Sequence, residues 1–279
     1  MHPITKDFLS SVRRLWRPPE YEATSTATMV TSFRQRGLGP VVTVVALVEG
    51  FGPGWSAREV CQLAFQELRN QFVLAGDQDP GDVLHSALMA ANLAVYERAD
   101  RYQAVGDIGA EILVAVIARG RCILAQAGRG LAFLSRRGGD SERVAPLLLA
   151  GDGHFLGHDR ELSLLSPKGT RLEAGVEDEK GGRLRSGDVI ALMNAAMSAG
   201  LADDEISAAL RLSPLERAAD RLIELGQAQV AEEELLAVLV EVPGAVQRAA
   251  ASLPRFRRML AFCAAALVLL SLLWWRTAP

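Results

Sequence analysis

The 279-residue chain has no acidic residue after Val242. That stretch instead carries five arginines: Arg248, Arg255, Arg257, Arg258 and Arg276. Residues 1–242 hold 25 basic against 33 acidic groups, a balance of −8, and the remainder carries +5. So acidic a body argues against nucleic-acid binding, which rests on neutralising phosphates with lysine and arginine. Cysteine is scarce: Cys61, Cys122 and Cys263 are odd in number and far apart. They make no disulfide framework and no C-x-x-C zinc pair, and a reducing compartment fits them. Cys61 and Cys122 lie on apolar-rich elements and are expected to be buried small side chains, not nucleophiles. Residues 1–20 lack an apolar run long enough for a secretory signal. Phosphate-loop and nucleophile-elbow motifs are missing too. Gly50-Phe51-Gly52 runs into Pro53-Gly54, and Met197-Ser198-Ala199-Gly200 lacks the first glycine of G-x-S-x-G.

Apolar side chains are plentiful, at 49% against 23% charged, so a packed core is expected. Val41–Val48 (VVTVVALV) reads as a buried strand ended by glycines. Ser56 and Glu59 form a capping-box signature ahead of a helix bearing Val60, Leu63, Ala64, Leu68 and Phe72. The loop AGDQDPGD leads to a second helix with Val83, Leu84, Ala87, Leu88, Ala91 and Val95 on one face. Strands follow over Glu111–Ala118, Cys122–Ala127 and Leu131–Ser135. Residues 136–187 are loop-rich, and Val189–Met193 is a further strand. Helices over Asp203–Leu212 and from Pro214, then a strand over Leu235–Val242, complete the body. Strand, helix pair, strand meander, helix pair and strand imply an α+β layered sandwich instead of a doubly wound nucleotide fold.

The two ends differ. Met259–Trp275 is 17 residues without a charge and spans about 25 Å as a helix, near the lower limit for crossing a bilayer. Arg257 and Arg258 precede it, and Trp274, Trp275 and Arg276 close it, the residues expected at membrane interfaces. The reading is a C-terminal transmembrane anchor, single-pass, with the N-terminal portion in the cytoplasm. At the other end, Phe8, Leu9, Val12, Leu15 and Trp16 have the spacing of a short basic amphipathic helix, ended by Pro18-Pro19. The expected organisation is an N-terminal arm over 1–39, a domain over 40–242, a basic linker over 243–258 and the anchor over 259–275.

Four segments of the body resemble, in order and spacing, the metal-dependent PPM-type (type 2C-like) serine/threonine phosphatases. VVTVVALVEGFG (Val41–Gly52) is similar to the family's strand ending in Asp-Gly. GAEILVAVIARGRCILAQAGRGLAFLSRRGG (Gly109–Gly139) is similar to its strands carrying Gly-Thr-Thr and Gly-Asp-Ser-Arg. RSGDVIALMNAAMSAGLADDEI (Arg185–Ile206) is similar to its Gly-Asp strand and Ser-Asp-Gly. AEEELLAVLVEV (Ala231–Val242) is similar to its closing Asp-Asn-x-Thr strand. The resemblance implies an α-β-β-α sandwich of two antiparallel sheets flanked by helix pairs. It also implies hydrolysis of phosphoserine or phosphothreonine by a water held between two divalent metals.

The departures fall on the metal ligands. Glu49 stands for the aspartate of Asp-Gly, with Gly50 kept; Ala195 stands for that of Ser-Asp-Gly; Glu233, beside Glu234, stands for that of Asp-Asn. Gly-Asp-Ser-Arg has become Gly128-Arg129-Gly130-Leu131, and no Asn-Glu-Asp follows Arg34 and Arg36. Hard cations need carboxylate oxygens in tight geometry, so the expectation is no catalytic residue, no metal and no other cofactor. The resulting reading is a membrane-tethered pseudophosphatase that acts as a binding, scaffold or regulatory module. Its partner would be a phosphoprotein, a kinase or a membrane signalling protein. Two readings stay open beside it: a divergent active phosphatase using Mg²⁺ or Mn²⁺ on Glu49 and Glu233, and a structural membrane protein of another α+β fold. Asp152, His154, His158 and Asp159 in GDGHFLGHD have an i, i+4 histidine pair, but the glycines mark a loop and the reading is polar loop residues.

Overall fold

The computed structural model describes residues 3–4, 9–15, 24–34, 41–118, 120–136, 141–144, 148–150, 154–162, 164–165, 184–229 and 234–243. The anchor over 259–275, with Arg257, Arg258, Trp274, Trp275 and Arg276, lies outside them, as does Glu233. Among the described residues no helix is long and apolar enough to cross a membrane.

Alternation along the strands dictates the layers. In β4 (Val41–Phe51) and β5 (Gly109–Ala118) both faces are apolar, so both must be covered. Val44, Ala46 and Val48 point one way and pack with Val60 and Leu68 of α1 (Ser56–Leu74) and with Leu84 and Leu88 of α2 (Pro80–Arg101). Val45, Leu47, Leu113 and Ala115 point the other way, into a second core shared with Ile190, Leu192, Leu236 and Val238. These last come from β11 (Val189–Met193) and β12 (Leu235–Glu241). The opposite face of that second sheet, with Ala191, Met193, Ala237 and Leu239, packs on Ile206, Ala218 and Leu222. Those side chains belong to α4 (Asp203–Leu210) and α5 (Leu215–Gln229). Three apolar layers between four structural layers make an α-β-β-α sandwich.

The first sheet has seven strands in the order β1-β3-β4-β5-β6-β9-β10, and the second has five in the order β2-β12-β11-β7-β8. Here β1 is Pro3–Ile4, β2 Leu9–Leu15, β3 Thr24–Arg34, β6 Arg121–Ala127 and β7 Leu131–Ser135. Short strands β8 (Ser141–Arg143), β9 (Leu148–Ala150) and β10 (Leu164–Leu165) finish the edges. Pairing is antiparallel except between β6 and β9.

Two local expectations fail. Residues 9–15 are a strand, not an amphipathic helix: β2 runs antiparallel to β12, with Val12 opposite Val238. Without β2, β12 would present unpaired N–H and C=O groups, and satisfying them outweighs the weak preference of one short segment. The body therefore starts before residue 40, since β3 also pairs along its whole length with β4. The capping box at Ser56 and Glu59 does not form either. The Ser56 hydroxyl donates to the Pro53 carbonyl at 2.6 Å, and Glu59 instead pairs with Arg98 and accepts from the Tyr102 hydroxyl.

Candidate functional site

The strand ends bring a row of polar residues to one rim of the inter-sheet core. Thr26 lies opposite Glu49, and Glu49 opposite Glu111, across β3, β4 and β5. Glu49 follows Val45 and Leu47 at the two-residue period, and Glu111 precedes Leu113, so both carboxylates share the face that lines the inter-sheet layer. From the second sheet, Asn194 follows Ile190 and Leu192 in the same way, and Glu234 precedes Leu236 and Val238.

Asn194 organises that second rim. It is buried and caps α3 (Ala195–Gly200), a helix the sequence reading lacked. Its Oδ1 accepts from Leu236 N at 3.2 Å and from Met197 N at 3.4 Å. Its Nδ2 donates to the Glu234 carbonyl at 2.7 Å and reaches Glu49 Oε2 at 3.4 Å. Thr26 Oγ1 donates to Glu234 Oε1 at 2.8 Å, tying the two sheets together at the rim. Glu111 is held by the turn between β6 and β7: its Oε2 accepts from Arg129 N at 3.0 Å, and its Oε1 takes the Arg129 Nε at 3.2 Å. Arg129 is 78% exposed and Glu111 15%, so the carboxylate is sheltered and the guanidinium is at the surface. Gln126 Nε2 fixes the same turn by donating to the carbonyls of Gly128 and Gly130.

Of the residues singled out in the sequence, Glu49 is therefore at the rim. Ala195 follows Asn194 as the first residue of α3, and its side chain carries no oxygen. Gly50 has a packing role: a Cβ there would lie 2.1 Å from the Ala57 carbonyl and 2.8 Å from Cys61, so α1 can approach β4 only over a glycine. Glu111, Asn194 and Glu234 are rim residues whose importance the sequence reading missed. The signal that was available was their place at the end of a continuous apolar strand. The cysteine expectation holds where the structure describes it. Cys61 and Cys122 are buried, and burial pushes the Cys122 thiol up to about 12, leaving it protonated and inert at neutral pH.

This sandwich is similar to solved bacterial serine/threonine phosphatases. The Mycobacterium tuberculosis phosphatase PstP/Ppp has a TM-score of 0.58 at 18% identity, over 85% of this chain and 99% of that one. The PstP catalytic domain in complex with two manganese ions has a TM-score of 0.60 at 18% identity, over 85% and 98%. Stp1 of Staphylococcus aureus gives 0.62 at 14% identity, over 85% and 96%. The fold is that of the PPM-type phosphatases. PppA of Pseudomonas aeruginosa, described as a regulatory component of a secretion system, shares it at a TM-score of 0.55 and 15% identity, over 78% of this chain and 96% of that one. No protein-family model matches the sequence, and no curated protein matches it. At such low identity the PPM-type fold is kept by layer patterning and not by shared side chains, so the chemistry at the rim has to be argued from the residues present.

Proposed function

We propose that this chain is a pseudophosphatase: a PPM-type domain that binds a phosphoprotein, a kinase or another signalling protein and does not hydrolyse phosphate esters. The observation that carries the reading is the composition of the rim. A two-metal centre needs several carboxylate oxygens free to bridge cations about 3.5–4 Å apart. At this rim a guanidinium occupies Glu111, a carboxamide reaches Glu49, and Ala195 offers no oxygen. The Arg129 guanidinium beside Glu111 opposes the binding of two more cations, so Mg²⁺ or Mn²⁺ does not fit here as a pair. The apolar run over 259–275, with Arg257, Arg258, Trp274, Trp275 and Arg276 at its ends, supports a membrane tether that holds the domain on the cytoplasmic side. Tethering raises the effective concentration of a membrane partner and makes a weak surface sufficient.

One observation favours the alternative, a divergent active phosphatase: Glu49 and Glu111 face each other, and two neighbouring carboxylates form the start of a hard-cation site. A single assay separates the two readings. The full chain is incubated with a phosphopeptide and with para-nitrophenyl phosphate in millimolar Mn²⁺ or Mg²⁺. The pseudophosphatase reading expects hydrolysis at the background rate. Turnover abolished both by a chelator and by Glu49→Gln would establish the alternative.

A further inference from the structure

The segment after β9 carries a second cluster of donors, well away in character from the carboxylate rim. Its loop is built, not loose. The buried Asn92 of α2 accepts from Gly157 N at 2.8 Å and donates through Nδ2 to the carbonyls of Asp159 and Arg160 at 3.0 and 3.2 Å. Leu156 is fully buried and exchanges two backbone hydrogen bonds with Ala110. Phe155 meets Phe51 edge-on with ring centroids 4.5 Å apart. Gly157 has φ +88°, and a Cβ there would lie 2.5 Å from Val95, so only glycine lets the chain turn this close to α2.

That turn brings together two of the chain's four histidines. The His154 and His158 rings stack at 4.7 Å with 9° between their planes. Both Nδ1 atoms face one carboxylate oxygen: Asp159 Oδ2 lies 3.2 Å from His158 Nδ1 and 3.9 Å from His154 Nδ1. One donor atom from each of the three residues lies within 4.8 Å of the others. A tetrahedral zinc with bonds of about 2.0–2.1 Å needs its donors about 3.4 Å apart. The observed separations bracket that value. A metal lies in the plane of each imidazole it binds, so the two rings must rotate out of their stack to share one ion, and at 44%, 42% and 60% exposure the three side chains are free to turn. Two imidazoles and a carboxylate are the donors of zinc, cobalt, nickel or copper, whereas Mg²⁺ and Mn²⁺ prefer oxygen alone.

We propose that His154, His158 and Asp159 form a three-ligand site for a borderline divalent cation of the zinc type, with a fourth position open to water. The site shares no ligand with the rim at Glu49 and Glu111 and stands whether or not that rim supports hydrolysis.

The test uses the full chain without a polyhistidine tag, kept in detergent micelles, and titrates it with Zn²⁺ by calorimetry in a competing weak chelator. Co²⁺ absorption serves as a second readout of the ligand set. One Zn²⁺ per chain is expected, with far weaker binding of Mg²⁺ and Mn²⁺. His154→Gln and His158→Gln should each weaken Zn²⁺ binding by about 100-fold or more, since even losing a residue that only supports a metal ligand costs 10–100-fold. Both should also lose the visible Co²⁺ bands. Glu49→Gln should leave the affinity unchanged. Zn²⁺ binding that survives both histidine substitutions, or that disappears in Glu49→Gln, would overturn the assignment, as would no Zn²⁺ binding by the wild-type chain. Each variant is checked by its metal-free circular dichroism. Should His158→Gln unfold the chain, Asp159→Asn replaces it as the second variant, because the backbone carbonyl that Asn92 holds is retained.

Discussion

Strand β4 passes through two environments within a few residues. Val45 and Leu47 are buried between the sheets, opposite Ala115 and Leu113. Glu49, next on the same face, stands at the rim, opposite another acid. The interior keeps the layers of a PPM-type sandwich, and on the proposed reading the rim no longer holds a metal pair. The difference is physical. An inward position tolerates any apolar side chain of suitable volume, so the layers survive at very low identity. A metal centre tolerates neither a lost oxygen nor an added cation, so its demands on the rim are far stricter than those of the fold on the interior.

The contrast can be broken first at the interior. Leu113→Ala, in the inter-sheet core, should cost about 2–5 kcal/mol by leaving a cavity that the packed layers cannot close. Urea denaturation of the full chain reads this directly; a loss below about 1 kcal/mol would mean that the two sheets do not pack as described. Gly50→Ala sits where interior and rim meet. The added methyl would press on the Ala57 carbonyl, and a cost of about 1–3 kcal/mol is expected in the same experiment.

Asn92→Ala tests whether the histidine loop owes its shape to one buried carboxamide. It removes the partner of Gly157 N and should cost about 1–3 kcal/mol for the donor left unsatisfied. It should also speed amide hydrogen exchange at Gly157, and unchanged exchange there would show that the loop is held by other contacts. The smallest effect belongs to the rim. Arg129→Ala removes an exposed partner from Glu111 and should change stability by about 0–1 kcal/mol. A cost several times larger would mean that the guanidinium is a structural part of the rim, as an interior residue is of the core.

Much of the architecture was readable beforehand. The apolar runs marked β4, β5, β6, β7, β11 and β12, the 3.6-residue spacing marked α1 and α2, and Pro214 marked the start of α5. Burial follows from that periodicity, because one face of each element has to leave water. The segment over 9–15 was misread because five apolar positions at helical spacing carry little information when a sheet edge nearby needs a partner. At the rim, Glu49 is legible in the sequence, since it stands at a fixed offset along a strand. Glu111 and Asn194 are not, because their role depends on which strands become neighbours.

By itself, then, the sequence determined the four layers, the split of apolar residues among them and which residue types stand at the strand ends. All of these depend on local period and residue type. Only the tertiary structure decided that β2 closes an edge, that Asn194 reaches Glu49 from the opposite sheet, and that His154 and His158 stack beside Asp159. The last depends on a hydrogen bond from Gly157 to Asn92, 65 residues away, and a contact of that range is set by packing and not by any local pattern.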